Sequence, residues 1–471
     1  MLISKKKFLK ITIIVLFLGI VLFFWGSIDS RDSSSAYYTM NLLSFASFII
    51  FIITNPFQFI SPYTFIFLFI YLYNCGQLWM NLFGFRIPFG SFVISRFSDN
   101  LLTECVFYFI MFSMLTHLFG LIFSKNKLKI KTDVFNWDKA LNDYNNILFK
   151  KTMYILLIVI IPLLVLLDIN QVVLANNGGY TVALYSRSNN VFFEIANSMC
   201  PLLIFGIIIC EENKNKRKVV ALYGIFRYII MMVLVGYRMQ AMAFLCGIFI
   251  SWTLRDNEKT LKKKAILVVI LGIVLLIVTT IVSQLRNGYV NNNMSIEDLL
   301  LNAIKEIGGS FIDIPIVFES IGNIGFAYGK TYLYGLINII PFIIRLFPNS
   351  TQYLTLSSTL NDNFVIYSSS SLGGNIYAEM YYNFGWYALL VTPILGYLIS
   401  MINKKVDSNK MLISKTIDMY LFFIFALYIR GNMGEVTVFL RNIVYLLIIY
   451  SVFKAYYVRK KQVKRRMEIY D

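Results

Sequence analysis

Apolar runs long enough to cross the roughly 30 Å hydrocarbon core of a bilayer recur about twelve times along this sequence, and that repetition constrains its fold more than any other feature. They lie near residues 8–25, 40–60, 62–84, 101–123, 152–174, 190–210, 219–236, 238–254, 265–284, 379–402, 412–430 and 436–457. Inside lipid every backbone N–H and C=O must be satisfied within the protein, which leaves helices or a closed barrel. Runs of this length without alternation select helices. The charged fraction of 14% is far below the roughly 25% of soluble domains. The expected fold class is therefore an all-α polytopic membrane protein, a single polytopic domain over residues 1–471. The first run follows Lys5, Lys6, Lys7 and Lys10 and has the outline of a signal peptide. No small-residue cleavage site follows it closely, so it is expected to remain as a helix.

Placing the amino terminus in the cytoplasm sorts the loops by charge. Basic clusters at Lys5–Lys10, Lys125–Lys151, Lys214–Lys218, Arg255–Lys264, Lys404–Lys415 and Lys454–Arg466 then all fall inside. They outnumber the basic residues of the outside segments by about three to one, as the positive-inside rule requires. Both termini are accordingly expected in the cytoplasm. The net charge of +18 reflects this topology, and no nucleic-acid partner is expected.

No internal repeat suggests the paired halves of a transporter. The unusual feature is a large external loop at 285–378 between the ninth and tenth spans, too long for a mere connection. It holds an expected surface helix from Ser295 to Ile307, opened by a capping-box-like Ser295 and Asp298. It also holds an apolar stretch from Tyr332 to Phe347, broken by Pro341 and Arg345, which reads as a re-entrant or interfacial helix roofing a lipid-facing cavity.

The five cysteines, Cys75, Cys105, Cys200, Cys210 and Cys246, sit in or beside apolar runs without metal-site spacing, so packing is their expected role. The sole histidine, His117, lies in an apolar helix and is expected to be structural. No metal and no cofactor are expected.

Ionisable residues at membrane depth are costly and mark function. Arg238 (in Gly236-Tyr237-Arg238), Arg286 (in Ser283-Gln284-Leu285-Arg286) and Arg430 (in Arg430-Gly431-Asn432-Met433-Gly434-Glu435) all map to the external side, and Arg441 lies deeper in the last span. A guanidinium fork matches the oxygens of a diphosphate and keeps its charge at any physiological pH. The competing expectation is that these arginines snorkel or pair with Glu435, Asp313 or Glu194. Where the loop re-enters the membrane stands Gly373-Gly374-Asn375-Ile376-Tyr377-Ala378-Glu379, followed by Met380-Tyr381-Tyr382-Asn383-Phe384-Gly385-Trp386. Glu379 at a helix start suits either capping or general-base chemistry. The aromatic and amide groups offer surfaces for sugars. The glycine pair lacks the following Lys-Ser/Thr of a nucleotide loop.

These motifs together resemble the bacterial O-antigen and capsular polysaccharide polymerases, the Wzy-type family, within lipid-linked glycan enzymes of GT-C-like architecture. The resemblance implies a multi-pass glycosyltransferase of the bacterial cytoplasmic membrane. It would polymerise undecaprenyl-diphosphate-linked oligosaccharide repeat units on the outer face into O-antigen, capsule or exopolysaccharide, without a nucleotide sugar. It further implies diphosphate binding by Arg238, Arg286 and Arg441 and an acceptor-side role for Glu379; from the residue chemistry Arg430 joins the diphosphate set, Arg286 joins Glu379 as a catalytic candidate, and Tyr377, Tyr381 and Asn383 are the expected sugar contacts. Membrane lipid is an expected partner, and a chain-length regulator and a flippase are candidate protein partners. The alternatives are a flippase or transporter of the same lipid-linked oligosaccharide, and a non-catalytic assembly factor. A flippase would place its charges centrally between similar halves, whereas here they crowd one side.

Overall fold

Hydrophobic length dictates the elements of the computed structural model, which describes residues 4–28, 32–57, 59–85, 93–124, 137–185, 191–255, 272, 274, 277–278, 280–281, 295–337, 339–340, 356, 359–360, 373–403 and 412–470. The described elements are all helical. Long helices come first: α1 (Lys5–Gly26), α2 (Ser33–Thr54), α3 (Pro62–Leu82) and α4 (Asp99–Phe123). The short α5 (Trp137–Asn142) leads to α6 (Tyr144–Tyr185), α7 (Val191–Cys210), α8 (Lys214–Leu234) and α9 (Arg238–Thr253). Next are α10 (Ile296–Ile307), a 3₁₀ turn (Gly308–Ile312), α11 (Asp313–Ile324) and α12 (Lys330–Ile337). The chain closes with α13 (Ile376–Phe384), a second 3₁₀ segment (Gly385–Val391), α14 (Thr392–Ile402), α15 (Leu412–Tyr428) and α16 (Met433–Tyr470).

Among the described residues nine helical segments are long and apolar enough to cross a membrane. Eight coincide with predicted runs. The ninth is Ile296–Ile324, where only a surface helix ending at Ile307 was expected. The capping box forms as read, with Ser295 Oγ accepting from Asp298 N at 3.0 Å and Asp298 Oδ2 accepting from Ser295 N at 3.1 Å. The chain then turns inward, because Gly308 carries no side chain and its backbone can lie directly on Gly76 of α3, where a Cβ would come within 2.9 Å of Gly308 Cα. Beyond that contact Phe311, Ile314 and Val317 are fully enclosed. Of the four predicted spans outside the nine, the structure largely describes three. The α9 and α15 helices have 16 and 17 residues, and α8 begins with Lys214, Lys216, Arg217 and Lys218. Most of 265–284 lies outside the described residues, as do Pro341 and Arg345 of the predicted roof, of which α12 is the described part.

Two groups of helices pack around α15. One gathers α1 to α4 with α14, the other α6 to α9 with α16, and α15 touches α3, α7, α9, α14 and α16. Small residues set the closest approaches, as expected where lipid gives helices no hydrophobic reason to associate. A Cβ on Gly396 of α14 would lie 2.5 Å from Thr116 O and 2.6 Å from Gly120 N of α4. Gly396→Val is therefore expected to force α14 off α4 and cost about 1–3 kcal/mol by overpacking. Thermal unfolding in detergent measures this, and an unchanged midpoint would show that the helices can separate freely.

At one end of the bundle the lysines hold helix termini. Lys7 Nζ donates to Ile122 O and Ser124 O at 2.9 and 2.6 Å, and Lys10 Nζ donates to Asn55 O at 2.6 Å. Cations here satisfy the orphan carbonyls and oppose the negative ends of the helix dipoles. At the same end Glu211 joins α6 to the α7–α8 turn, accepting from Tyr154 Oη and Asn213 N at 2.9 Å each and facing Lys150 Nζ at 3.8 Å. Burial pushes its carboxyl up, but these donors and Lys150 together hold it below the usual carboxylate range.

The expected roles of the histidine and cysteines hold. His117 is fully enclosed, with Nε2 at 2.8 Å from Thr54 Oγ1 and Nδ1 at 2.8 Å from Tyr63 Oη. All five cysteines are free thiols, and Cys75, Cys105, Cys200 and Cys210 are buried. Deep in the second group, Arg227 of α8 forks onto Asp168 of α6. Nε meets Oδ2 at 2.7 Å and Nη2 meets Oδ1 at 2.8 Å, while Nη2 also donates to Asn197 Oδ1 of α7 at 2.8 Å.

Candidate functional site

Three segments distant in sequence meet at the end of the bundle opposite Lys7. They are the turn Arg430-Gly431-Asn432 between α15 and α16, the entry Gly373-Gly374-Asn375 into α13, and the start of α11 at Asp313. Gly374 adopts φ +87°, a left-handed conformation that suits glycine. A Cβ there would also lie 3.2 Å from Gly431 O, so the two turns stack backbone on backbone. The Gly374 N–H donates to the Asp313 carboxylate, which also feels the charge of Arg430.

Asn375 locks the entry. Its Oδ1 caps α13 by accepting from Tyr377 N at 2.9 Å, the N-cap geometry for which asparagine is preferred. Its Nδ2 donates to Asn74 Oδ1 of α3 at 2.6 Å and to Ser310 O at 2.8 Å. Asn74, Asn375 and Glu379 are all fully buried, and Asp313 nearly so.

One turn into α13, Glu379 Oε2 accepts from the backbone N–H of Met433 at 2.9 Å. Met433 is the first residue of α16, so the carboxylate sits on the positive end of a long helix dipole. The Tyr428 hydroxyl lies beside the same carboxylate and donates to Tyr332 Oη at 3.1 Å. Behind it Asn383 Nδ2 donates to Glu379 O at 2.7 Å and to Thr331 Oγ1 at 2.8 Å, which ties α13 to α12. The result is two buried carboxylates beside one turn that carries Arg430, with a helix amino terminus beneath.

The expected site residues are only partly brought together. Glu379 reaches the 430–433 turn at Met433 N, three residues after Arg430. Arg441 is buried but committed to α7, with Nη2 at 3.2 Å from Glu194 Oε1. Arg238 pairs with Glu306 of α10 at 2.5 Å. Pairing with a carboxylate was the competing expectation for these arginines, and Glu194 was a named partner. Arg286 and the Glu435 side chain lie outside the described residues.

The expected sugar surface is turned inward. Tyr377 is buried with its hydroxyl 3.1 Å from Ser113 Oγ, and Tyr381 stacks on Phe318 with ring centroids 3.6 Å apart. Asn383 is enclosed. Tyr377 and Tyr381 stand four apart on one face of α13, and that face packs against α4 and α11. Asp313 was read only as an ion partner, and Asn74, Tyr332 and Tyr428 were not singled out. The available signal was an acid inside the apolar run Phe311 to Phe318, and an amide inside the apolar α3.

A family model described as O-antigen polysaccharide polymerase Wzy matches residues 9–461, nearly the whole chain. The chain belongs to this family. No curated protein and no solved structure matches it. The membership agrees with the resemblance drawn from the sequence motifs, and it makes the chain a multi-pass membrane polymerase of polysaccharide repeat units. The cluster around Glu379 combines a buried carboxylate with a backbone N–H at the start of a long helix.

Proposed function

We propose that this chain joins undecaprenyl-diphosphate-linked oligosaccharide repeat units at the outer face of the bacterial cytoplasmic membrane, in a GT-C-like arrangement that uses no nucleotide sugar. The lysine-rich end then faces the cytoplasm with both termini, and the Glu379 cluster lies at the outer end. In the reaction an acceptor hydroxyl oxygen attacks the anomeric carbon of the donor glycan. The bond from that carbon to the diphosphate oxygen breaks, and undecaprenyl diphosphate leaves with the electron pair.

The observation that carries this reading is the placement of Glu379 and Arg430 around one helix amino terminus. Glu379 takes the proton of the acceptor hydroxyl, a step worth roughly 10²–10⁴-fold for a positioned base. Arg430 and the α16 terminus stabilise the departing diphosphate charge, and Arg286 contributes from the start of the 285–378 segment. Arg238 and Arg441 reach the diphosphate only by exchanging Glu306 and Glu194 for its oxygens. Tyr377, Tyr381 and Asn383 hold α13, and with it Glu379, in register for the sugar. The product is O-antigen, capsule or exopolysaccharide, and a chain-length regulator and a flippase are the protein partners.

The test is deletion of the gene in its host, complementation with wild type, Arg286→Ala or Arg430→Ala, and electrophoresis of the extracted glycan. The wild-type gene restores the high-molecular-weight ladder, and each arginine variant reduces polymer by about 10²–10³-fold, typical for loss of one preorganised donor. Single repeat units accumulate at the outer face. A ladder that survives deletion overturns the proposal, and units trapped at the cytoplasmic face point to a flippase instead.

A further inference from the structure

A cavity of about 450 Å³ opens between α14, α15 and α16. Its upper end is formed by Tyr332, Met380, Tyr428 and Met433. Met380 follows Glu379 in the chain, Tyr428 lies beside its carboxylate, and Met433 donates the N–H that this carboxylate accepts. The slot therefore begins at the candidate site. It continues down α15 past Leu421 and Ile424 to Ser414, Lys415 and Asp418. At 1.5 Å per helical residue, residues 414 to 428 span roughly 21 Å, most of the thickness of a bilayer's hydrocarbon core.

Polarity along this slot is graded. Its middle is aliphatic, from Leu395 of α14 across Leu421 to Val436 and Leu440 of α16. The α14 edge is open sideways, with Leu398 40% and Met401 36% exposed. An apolar slot open to the bilayer admits hydrocarbon and excludes water and sugar. The upper mouth has the opposite character: the Tyr428 hydroxyl meets the Tyr332 hydroxyl there, the Glu379 carboxylate accepts the Met433 N–H, and Arg430 stands three residues before Met433. A polar mouth close to the Arg430 turn and hydrocarbon below it complement a molecule with a polar head and a long apolar tail.

From this geometry we infer that the slot between α14, α15 and α16 binds the polyprenyl tail of a lipid diphosphate and so presents its head group to Glu379. The inference rests on the polymerase reading above and adds the place and register of the lipid. Burial of each methylene is worth about 0.8 kcal/mol, so a tail of several isoprene units supplies affinity that a sugar diphosphate alone lacks. Binding the tail along α15 also fixes the depth of the diphosphate relative to Glu379. Positioning of this kind lowers the barrier without any new chemical group.

The test uses the full chain reconstituted in phosphatidylcholine–phosphatidylglycerol vesicles with an undecaprenyl-diphosphate-linked donor bearing a diazirine on a middle isoprene unit. On illumination of the wild type the label is expected on peptides of α14, α15 and α16, and excess unlabelled undecaprenyl diphosphate should compete it away while added phospholipid does not. Label spread over α1 and α2, or competed equally by phospholipid, overturns the assignment and identifies ordinary bilayer lipid as the occupant. A second measurement compares turnover of the full-length donor with that of a donor carrying two isoprene units. Wild type is expected to favour the full-length donor by at least about tenfold, on the scale of burying a few methylenes. In Leu421→Trp that ratio should fall toward one, and an unaltered ratio overturns the proposal. If wild type polymerises neither donor the polymerase reading itself fails, and the labelling pattern still decides the slot.

Discussion

Glu379→Gln is expected to reduce polymer formation by roughly 10²–10⁴-fold, the range for removing a positioned general base, while the protein folds and inserts normally. The substitution keeps shape and keeps an oxygen able to accept from Met433 N, now at 2.9 Å from Oε2. Only the negative charge and the capacity to take a proton are lost. A hydrogen bond to a charged group contributes about 1 kcal/mol more than a neutral one, so the stability change should be small. Polymer yield from purified variant in vesicles, set beside its thermal unfolding midpoint, separates the two roles. Near wild-type polymerisation would reduce Glu379 to a cap for α16, the competing role that its position at a helix start suggested. Asp313→Asn, which keeps an acceptor for the Gly374 N–H, is a useful companion, because it removes the buried charge facing Arg430.

The largest effect on stability is expected at the Arg227–Asp168 pair. Arg227 is 6% exposed, and its Nε and Nη2 donate to Asp168 and Asn197. Arg227→Met leaves the Asp168 carboxylate without its fork in the interior of the α6–α8 group, and breaking a buried pair in this way costs about 3–5 kcal/mol. Replacing both, as Arg227→Met with Asp168→Leu, removes the stranded charge and should recover most of the loss, since apolar substitutes for a buried pair are often neutral or better. Detergent unfolding of both single variants and the double variant gives the coupling directly. Equal loss in the single and double variants would mean that the pair serves Asn197 and helix register rather than charge neutralisation.

The sequence by itself determined the class of the molecule. The long apolar runs, the Ser295 capping box, and the inward-turned cysteines and His117 are local properties, fixed by hydrophobic length and by side chain to backbone bonds a few residues away. The family was also legible, because its motifs are short and contiguous. The fate of each buried charge was not, since a carboxylate can be assigned to an arginine only when the helices carrying them are placed side by side. Thus Arg441 turned to Glu194, Arg238 turned to Glu306, and Asp313 entered the cluster around Arg430, across separations of more than a hundred residues in the first and last cases. The inward turn after Ile307 was hidden for the same reason. A Gly-Gly pair reads locally as a helix end, and only the presence of Gly76 on a neighbouring helix makes it a site where backbones can touch. Tertiary packing alone decided which polar groups share the interior, because their burial is tolerable only with partners that sequence distance conceals.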